Sequence, residues 1–286
     1  MKRFQIKYHT WFLVLILLLC SLLVSCQTEN GSTLTLDFYK IGKADAILIR
    51  GVQEDGTPFS VLIDTGESDD APEIVEKVRA VGIETLDYLI LTHFDKDHIG
   101  GVAGVLSSLS ASHILMPDYI GEGAPYEQMT ALFADGSYPV QVLTEDTQFT
   151  LGKTAFSVSV PKQSSYAKKQ DNNASLVITV THGTQVLYLT GDAEALRQKE
   201  LISELSSAGI TKTALLKVPH HGVYNDGIDT FFAACSPANA IITCSDKNPP
   251  DAMTISQLHA LNAKVYLTSD GDIRAVCSET GITVTQ

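Results

Sequence analysis

His93, Asp95, Asp97 and His98 put two imidazoles and two carboxylates into six residues, directly after the apolar run Leu89-Ile90-Leu91. Folding alone does not call for this. Carboxylates crowded at a strand end repel each other and lose hydration unless a cation or hydrogen bonds compensate. A divalent metal supplies that compensation, and neutral imidazole with carboxylate oxygen suits zinc or manganese. A solvated turn that happens to be rich in His and Asp is the alternative. Gly100-Gly101 follow, and they let the next segment start close beneath the cluster.

Other candidate residues fall at equivalent places. Asp64 follows Val61-Leu62-Ile63, Asp192 follows Leu187-Tyr188-Leu189, and His220-His221 follow Leu215-Leu216-Lys217-Val218. Each run reads as a strand, and strand ends fix loop residues in space, so distant segments can converge on one edge. Apolar or alternating runs predict strands at 33–39, 46–50, 60–63, 88–92, 114–116, 155–160, 176–181, 185–190, 214–218, 240–244, 264–267, 273–277 and 282–285. His182-Gly183-Thr184 reads as a hairpin turn. Helical spacing fits 71–81, 101–109, 126–133, 193–208, 229–234 and 254–261. The pattern predicts an α/β fold of two sheets packed face to face and covered by helices. Strand runs and then helices recur in two halves, without a visible sequence repeat.

Several residues read two ways. Asp64 before Thr65-Gly66 is equally a turn residue or a group that orients a ligand, and Asn173 is equally an Asx-turn or a contact to metal or substrate. Tyr224 and Asn225 are candidates for a pocket lining. His113, His182 and His259 lack acidic company and receive no catalytic role.

These segments resemble the metallo-β-lactamase fold, and more closely the extracellular competence-protein type of that superfamily. The resemblance runs from about Thr33 to Val284. It rests on Ile41-Gly42-Lys43-Ala44-Asp45-Ala46-Ile47-Leu48-Ile49, Ile63-Asp64-Thr65-Gly66, and Thr92 through Gly101. It continues with Asn172-Asn173-Ala174-Ser175-Leu176-Val177, Leu189-Thr190-Gly191-Asp192 and Lys217-Val218-Pro219-His220-His221-Gly222. It implies an αββα sandwich of two mixed β-sheets flanked by helices, with a binuclear metal site at one edge. The superfamily signature is His-x-His-x-Asp-His, and Asp95 stands at its second His, as competence-type members commonly have it. By resemblance His93 and Asp95 hold a first metal, Asp97 and His98 a second, and Asp192 bridges both. His221 closes the second site. His220 beside it serves as a ligand or binds substrate, and only one of the adjacent pair is expected to reach an ion. Asn172 and Asn173 stand where the superfamily has a third His, and a weaker amide ligand favours a harder ion such as manganese. Lys40, Lys43 and Ala44 replace the family's Asp, Gln and Gly, whereas Asp45 is kept and would hydrogen-bond a ligand.

Two divalent ions would lower the pKa of a bridging water to give hydroxide at neutral pH, so hydrolysis without a covalent enzyme intermediate is expected. Asp97 would orient or deprotonate that water, and His220 would stabilise a phosphoryl oxygen or protonate the leaving alkoxide. No Gly-x-Ser-x-Gly elbow or phosphate-cradling loop competes. The resemblance favours a phosphodiester substrate, in nucleic acid or a cell-wall polymer. A lactonase or other ester hydrolase of the same fold is the alternative enzyme, and a non-catalytic surface lipoprotein that binds metal or polymer is the alternative outside catalysis. No protein partner is expected.

Lys2, Arg3 and Lys7 precede an apolar stretch from Trp11 that ends at Leu23-Val24-Ser25-Cys26. A basic start, a short apolar core and small residues before a cut describe an export signal over residues 1–25. The last four residues resemble a bacterial lipobox, in which Cys26 is lipidated; an uncleaved anchor or a plain secretory signal is the alternative. Residues 26–32 then form a tether and 33–286 the hydrolase domain, outside the cytoplasm at a membrane surface. Beyond Ser25 all 33 acidic residues stand against 17 of the 20 basic ones, which opposes non-specific attraction to nucleic-acid phosphates or anionic lipid. Cys235, Cys244 and Cys277 allow at most one disulfide, with 244–277 open, and no Cys-x-x-Cys spacing suggests thiolate ligation of zinc.

Overall fold

Leu34, Leu36 and Phe38 alternate with Thr35 and Asp37, and a period of two sends the three apolar side chains into one core. Repeated along the chain, this alternation builds the computed structural model, which describes residues 32–167 and 170–286. The leader, Cys26 and the tether up to residue 31 lie outside the described residues. The first half runs through β1 (Leu34–Phe38), β2 (Ile47–Val52), β3 (Pro58–Ile63), β4 (Thr85–Ile90), β5 (Ser110–Pro117) and β6 (Val140–Leu143). The second runs through β7 (Thr147–Leu151), β8 (Thr154–Ser159), β9 (Val177–His182), β10 (Gln185–Leu189), β11 (Leu215–Lys217), β12 (Asn239–Ile242) and β13 (Lys264–Leu267). β14 (Ile273–Cys277) and β15 (Ile282–Thr285) return to the first sheet, whose order is β15-β14-β1-β2-β3-β4-β5-β6; the second is β13-β12-β11-β10-β9-β8-β7.

Both sheets change character part-way across. β1, β2 and β3 pair antiparallel, whereas β3, β4, β5 and β6 pair parallel. β7 to β10 likewise pair antiparallel, and β10 to β13 parallel. The halves thus repeat an architecture that their sequences do not show. Ligand sites in α/β sheets form beyond the carboxyl ends of strands, and the candidate residues follow β3, β4, β10 and β11, the strands that flank each change.

Apolar side chains fill three layers. Leu36, Ile49, Ile63, Ile90, Phe156, Ile178, Leu189 and Leu215 meet between the sheets. Helices 71–80, 102–106 and 124–133 cover the outer face of the first sheet through Ile74, Val78, Val105 and Met129. Helices 195–207, 228–235 and 252–260 cover the second through Leu201, Phe231 and Leu258. This is the αββα sandwich of two mixed sheets. Among the described residues no helix is long and apolar enough to cross a membrane.

Differences from the sequence reading have simple causes. β6 and β7 were not expected: both are short sheet edges, of four and five residues, and only Leu143 and Leu151 in them are buried. The expected helix 101–109 is instead a short turn at Lys96–Ile99 and a helix at Val102–Leu106. Gly101 lets them sit tight: a Cβ there would lie 2.1 Å from the Thr65 carbonyl oxygen. Cys235, Cys244 and Cys277 are all buried free thiols, so no 244–277 bridge forms.

Candidate metal centre

Asp64 ends β3 in a left-handed conformation (φ 59°) that turns its carboxylate back over the next strand. One oxygen accepts the Thr92 amide (2.7 Å); the other accepts the Thr92 hydroxyl (2.7 Å) and faces His98 Nδ1 at 2.7 Å. Asp64 is fully buried and meets the cluster through His98 and, by way of the Thr92 hydroxyl, His93. The bond to His98 holds the ring by Nδ1 and aims Nε2 into the cluster. His221 is held in the same way: its Nδ1 lies 3.0 Å from both the carbonyl and the hydroxyl of Thr243, whose hydroxyl donates to Asp45 (2.5 Å). His93 Nδ1 lies 3.0 Å from the Thr92 hydroxyl.

Asp192, at the turn after β10, receives these rings. Its Oδ2 lies 3.2 Å from His221 Nε2, 3.4 Å from His98 Nε2, and 4.0 Å from both His93 Nε2 and His220 Nε2. Asp97 Oδ2 is 3.5 Å from His221 Nε2, and Asp95 Oδ2 is 3.7 Å from His93 Nε2. Asp95 stands at the N-cap position of the Lys96–Ile99 turn, yet its carboxylate does not cap it. Three sets of donor atoms come together among the described residues: His93, His98 and Asp192; Asp97, His98 and His221; and Asp45, Asp64 and His98. Buried Nε2 atoms of His93, His98 and His221 have no hydrogen-bond partner. Buried polar groups are almost always satisfied, so three orphaned acceptors around a carboxylate oxygen fit a divalent metal.

Electrostatics in the metal-free chain agree. Burial pushes the Asp192 carboxyl up, but His221, His98 and Lys217 hold it well below its usual range. Asp97 and Asp95 are also lowered, against the penalty of burial, by His221 and His93 respectively. Burial pulls the His98 imidazole down, yet Asp192 and Asp64 together raise it well above the usual value; His221 is raised against burial mainly by Asp192.

His220 and His221 adopt consecutive left-handed conformations (φ 47° and 51°), followed by Gly222 at 79°. Such backbone is strained for non-glycine residues and concentrates at functional sites. It sets the rings 6.2 Å apart and inclined by 63°. Both Nε2 atoms therefore face Asp192, His221 at 3.2 Å and His220 at 4.0 Å, and among the described residues only His221 of the pair joins a set of possible metal donors. His220 Nδ1 sits 2.9 Å from Glu194 Oε1, which also accepts the Asn172 amide (2.9 Å). Asn172 Nδ2 lies 3.5 Å from His220 Nε2, so Asn172 borders the site. Asn173 instead spends its Oδ1 on the Arg197 amide (2.9 Å) in the first turn of the Ala195–Ser207 helix, a cap of that turn.

Tyr224 and Asn225 follow in the next loop, where the Tyr224 amide donates to Asp251 (2.7 Å) and both polar atoms of the Asn225 side chain are buried without a partner. His113 stacks on Tyr88, and His182 bonds Thr154 and the Ser32 carbonyl, away from the cluster. Surface cavities of 430 and 370 Å³, lined by residues such as Arg50 and Glu84 or Tyr39 and Lys77, contain none of the donors.

Residues 42–237 match the family profile of the Metallo-beta-lactamase superfamily. The chain belongs to that superfamily. Its members are metal-dependent hydrolases. Within it, the chain is 29% identical over 240 residues to ComE operon protein 3 of Bacillus subtilis, covering 78% of this chain and 29% of that protein. It is 26% identical over 271 residues to Recombination protein 2 of Haemophilus influenzae (91% and 31%), and 25% identical over 221 residues to Competence protein ComA of Neisseria gonorrhoeae (77% and 28%). These competence and recombination proteins are what the chain is similar to, and it spans about a third of their length. Among solved structures, the metallo-beta-lactamase fold protein YhfI of Bacillus subtilis shares the fold at TM-score 0.52 and 14% identity, over 87% of this chain and 100% of that one.

Three residues escaped the sequence reading: Lys217, Glu194 and Thr243. Lys217 alone carried a signal, as a cation inside the apolar run Leu215-Leu216-Lys217-Val218. A lysine buried in a strand must find partners, and its Nζ lies 3.3 Å from Asp192 Oδ1 and 2.5 Å from Asp45 Oδ2.

Proposed function

We propose that this chain is a lipid-anchored, extracytoplasmic phosphodiesterase that works with two divalent cations, zinc or manganese. The convergence of four imidazole Nε2 atoms on Asp192 Oδ2 carries the reading. His93 and Asp95 would hold the first ion, Asp97, His98 and His221 the second, and Asp192 both. When bound, the pair supplies a nucleophile from water at neutral pH and neutralises charge on a phosphoryl group. Asp97, held ionised and partly exposed, orients the attacking water through its free carboxylate oxygen. His220 is backed at Nδ1 by Glu194 and presents Nε2 to the reacting centre, the arrangement of a group that delivers a proton to a leaving alkoxide. His220→Ala should therefore keep both metals while kcat falls by about 10²–10⁴-fold. Loss of metal in that variant, by elemental analysis, would assign His220 to ligation instead.

The relatives' names, competence and recombination, support nucleic acid as the polymer. The acidic surface favours short or wall-attached phosphodiesters over long duplex DNA. Anchoring rests on Cys26 after Leu23-Val24-Ser25; Cys26→Ser should move the protein from the membrane fraction to the medium. The deciding assay reconstitutes the protein with zinc or manganese and offers bis-p-nitrophenyl phosphate, DNA, a teichoic-acid-like phosphodiester and a lactone. Turnover of phosphodiesters with about two metals per chain is expected. A lactone hydrolysed in preference, or two bound metals with no turnover, overturns the reading.

Metal uptake should release protons. His98 and His221 have raised pKa values in the metal-free chain, so their contribution to stability is complete below the usual 6.5 and lost as pH rises through the raised values. Asp192 and Asp97 act oppositely: their contribution is present above 3.8 and lost as pH falls through the lowered values. An incoming cation competes with the histidine protons, so affinity should rise with pH across neutrality. Calorimetry in buffers of different ionisation enthalpy measures the release, and zero protons displaced at pH 7 would contradict it.

A further inference from the structure

We propose that Lys217 is a positioning residue of the metal centre, a built-in cation that pins one oxygen of Asp192 so that only the other is offered to the metals. The inference rests on the reading of this cluster as a metal centre.

Lys217 is the last residue of β11. Leu215, two residues earlier, packs between the sheets, whereas Leu216 and Val218 pack beneath the outer helices. Alternation therefore sends the Lys217 stem into the layer between the sheets, at the end nearest the site. The side chain is fully buried. An ammonium has three protons to place, and three oxygens lie around it: Asp45 Oδ2 at 2.5 Å, Gly191 O at 3.0 Å and Asp192 Oδ1 at 3.3 Å. None is left for solvent. With Oδ1 engaged from below, Asp192 Oδ2 is the oxygen that faces His98 and His221.

Charge balance points the same way. Asp45, Asp64, Asp95, Asp97, Asp192 and Glu194 bring six carboxylates to this edge, and Lys217 is a fixed cation against two of them. Buried charge without compensation is strongly disfavoured, so the lysine lets the site keep Asp45 as well as the ligand carboxylates. Asp45 precedes β2 in the first half of the chain and Asp192 follows β10 in the second, so one ammonium also ties the two halves under the metals.

The test measures metal affinity and stoichiometry, independent of turnover, in wild-type protein, Lys217→Met and the double variant Asp45→Asn/Lys217→Met. Outer-shell partners typically contribute about 10–100-fold to metal affinity, and a loss of that size is expected in both variants. Wild-type affinity in Lys217→Met overturns the proposal. So does wild-type affinity in the double variant, which would make the lysine only a counter-charge to Asp45. Should either variant fail to fold, wild-type protein decides. Its chain with ¹⁵Nζ-labelled lysine should show one ammonium resonance protected from exchange that shifts as zinc is added. A spectrum without a protected, zinc-responsive ammonium overturns the proposal. Wild-type protein that binds no metal would instead refute the metal centre, and binding without phosphodiester turnover would refute only the assigned reaction.

Discussion

Asp192→Ala should yield a folded protein that retains no stoichiometric metal and loses turnover by at least about a thousandfold. Among the described residues Asp192 is the single group within 4.0 Å of all four imidazole Nε2 atoms, so its removal would take a donor from both proposed sites at once. The fold should survive, because Lys217 keeps Asp45 and the Gly191 carbonyl, and the neighbouring turn is held by the Thr190 hydroxyl bond to the Lys217 carbonyl (2.8 Å). Elemental analysis and circular dichroism separate the outcomes. Hydrolysis retained at a tenth of the wild-type rate or more would sink the proposed mechanism.

Asp64→Asn should be nearly as damaging to metal binding, though Asp64 touches no metal. Asparagine tolerates the left-handed backbone that Asp64 adopts, so the turn itself survives. It offers only one acceptor where the carboxylate offers two. With its oxygen on the Thr92 amide, the new NH₂ group faces the Thr92 hydroxyl and His98 Nδ1, where the carboxylate oxygen had accepted. A donor there favours the other His98 tautomer, with the proton on Nε2, and a protonated Nε2 is no ligand. Affinity should fall about a hundredfold, with a stability loss of about 1–3 kcal/mol from the disturbed hydrogen bonds. The shift of the His98 ring nitrogens in a ¹⁵N spectrum reports the tautomer directly. Unchanged metal affinity would mean that Asp64 only shapes the turn.

How much of this could be read from the sequence depended on whether a residue's role follows from its neighbours in the chain. Strands buried on both faces, such as Val61-Leu62-Ile63 and Leu187-Tyr188-Leu189, showed as apolar runs because the sandwich covers both of their faces. Edge strands β6 and β7 did not, since each is four or five residues long and buries a single side chain, Leu143 or Leu151. The polar clusters were legible for the same reason that they are functional: they break an apolar pattern at its end. What their side chains do was less so. The left-handed pair at His220-His221 is a backbone property that no periodicity announces, and it alone lets both rings face Asp192. Asn173 stands with Asn172 where the superfamily has a third His, and its Oδ1 accepts the Arg197 amide at the start of the next helix. Lys217 was visible as an anomaly, but its partners Asp45 and Asp192 come from segments far apart in the chain.

The change from antiparallel to parallel pairing in each sheet has a consequence for how the protein is made. His93 to His98 emerge with the first half, and Asp192 and the histidine pair follow roughly a hundred residues later, with the second. Neither half alone can complete a pair of ions, and contacts of such high sequence separation form late in folding. Under the proposed reading, metal loading would report assembly, because the full set of donors comes together only where the two sheets have closed face to face.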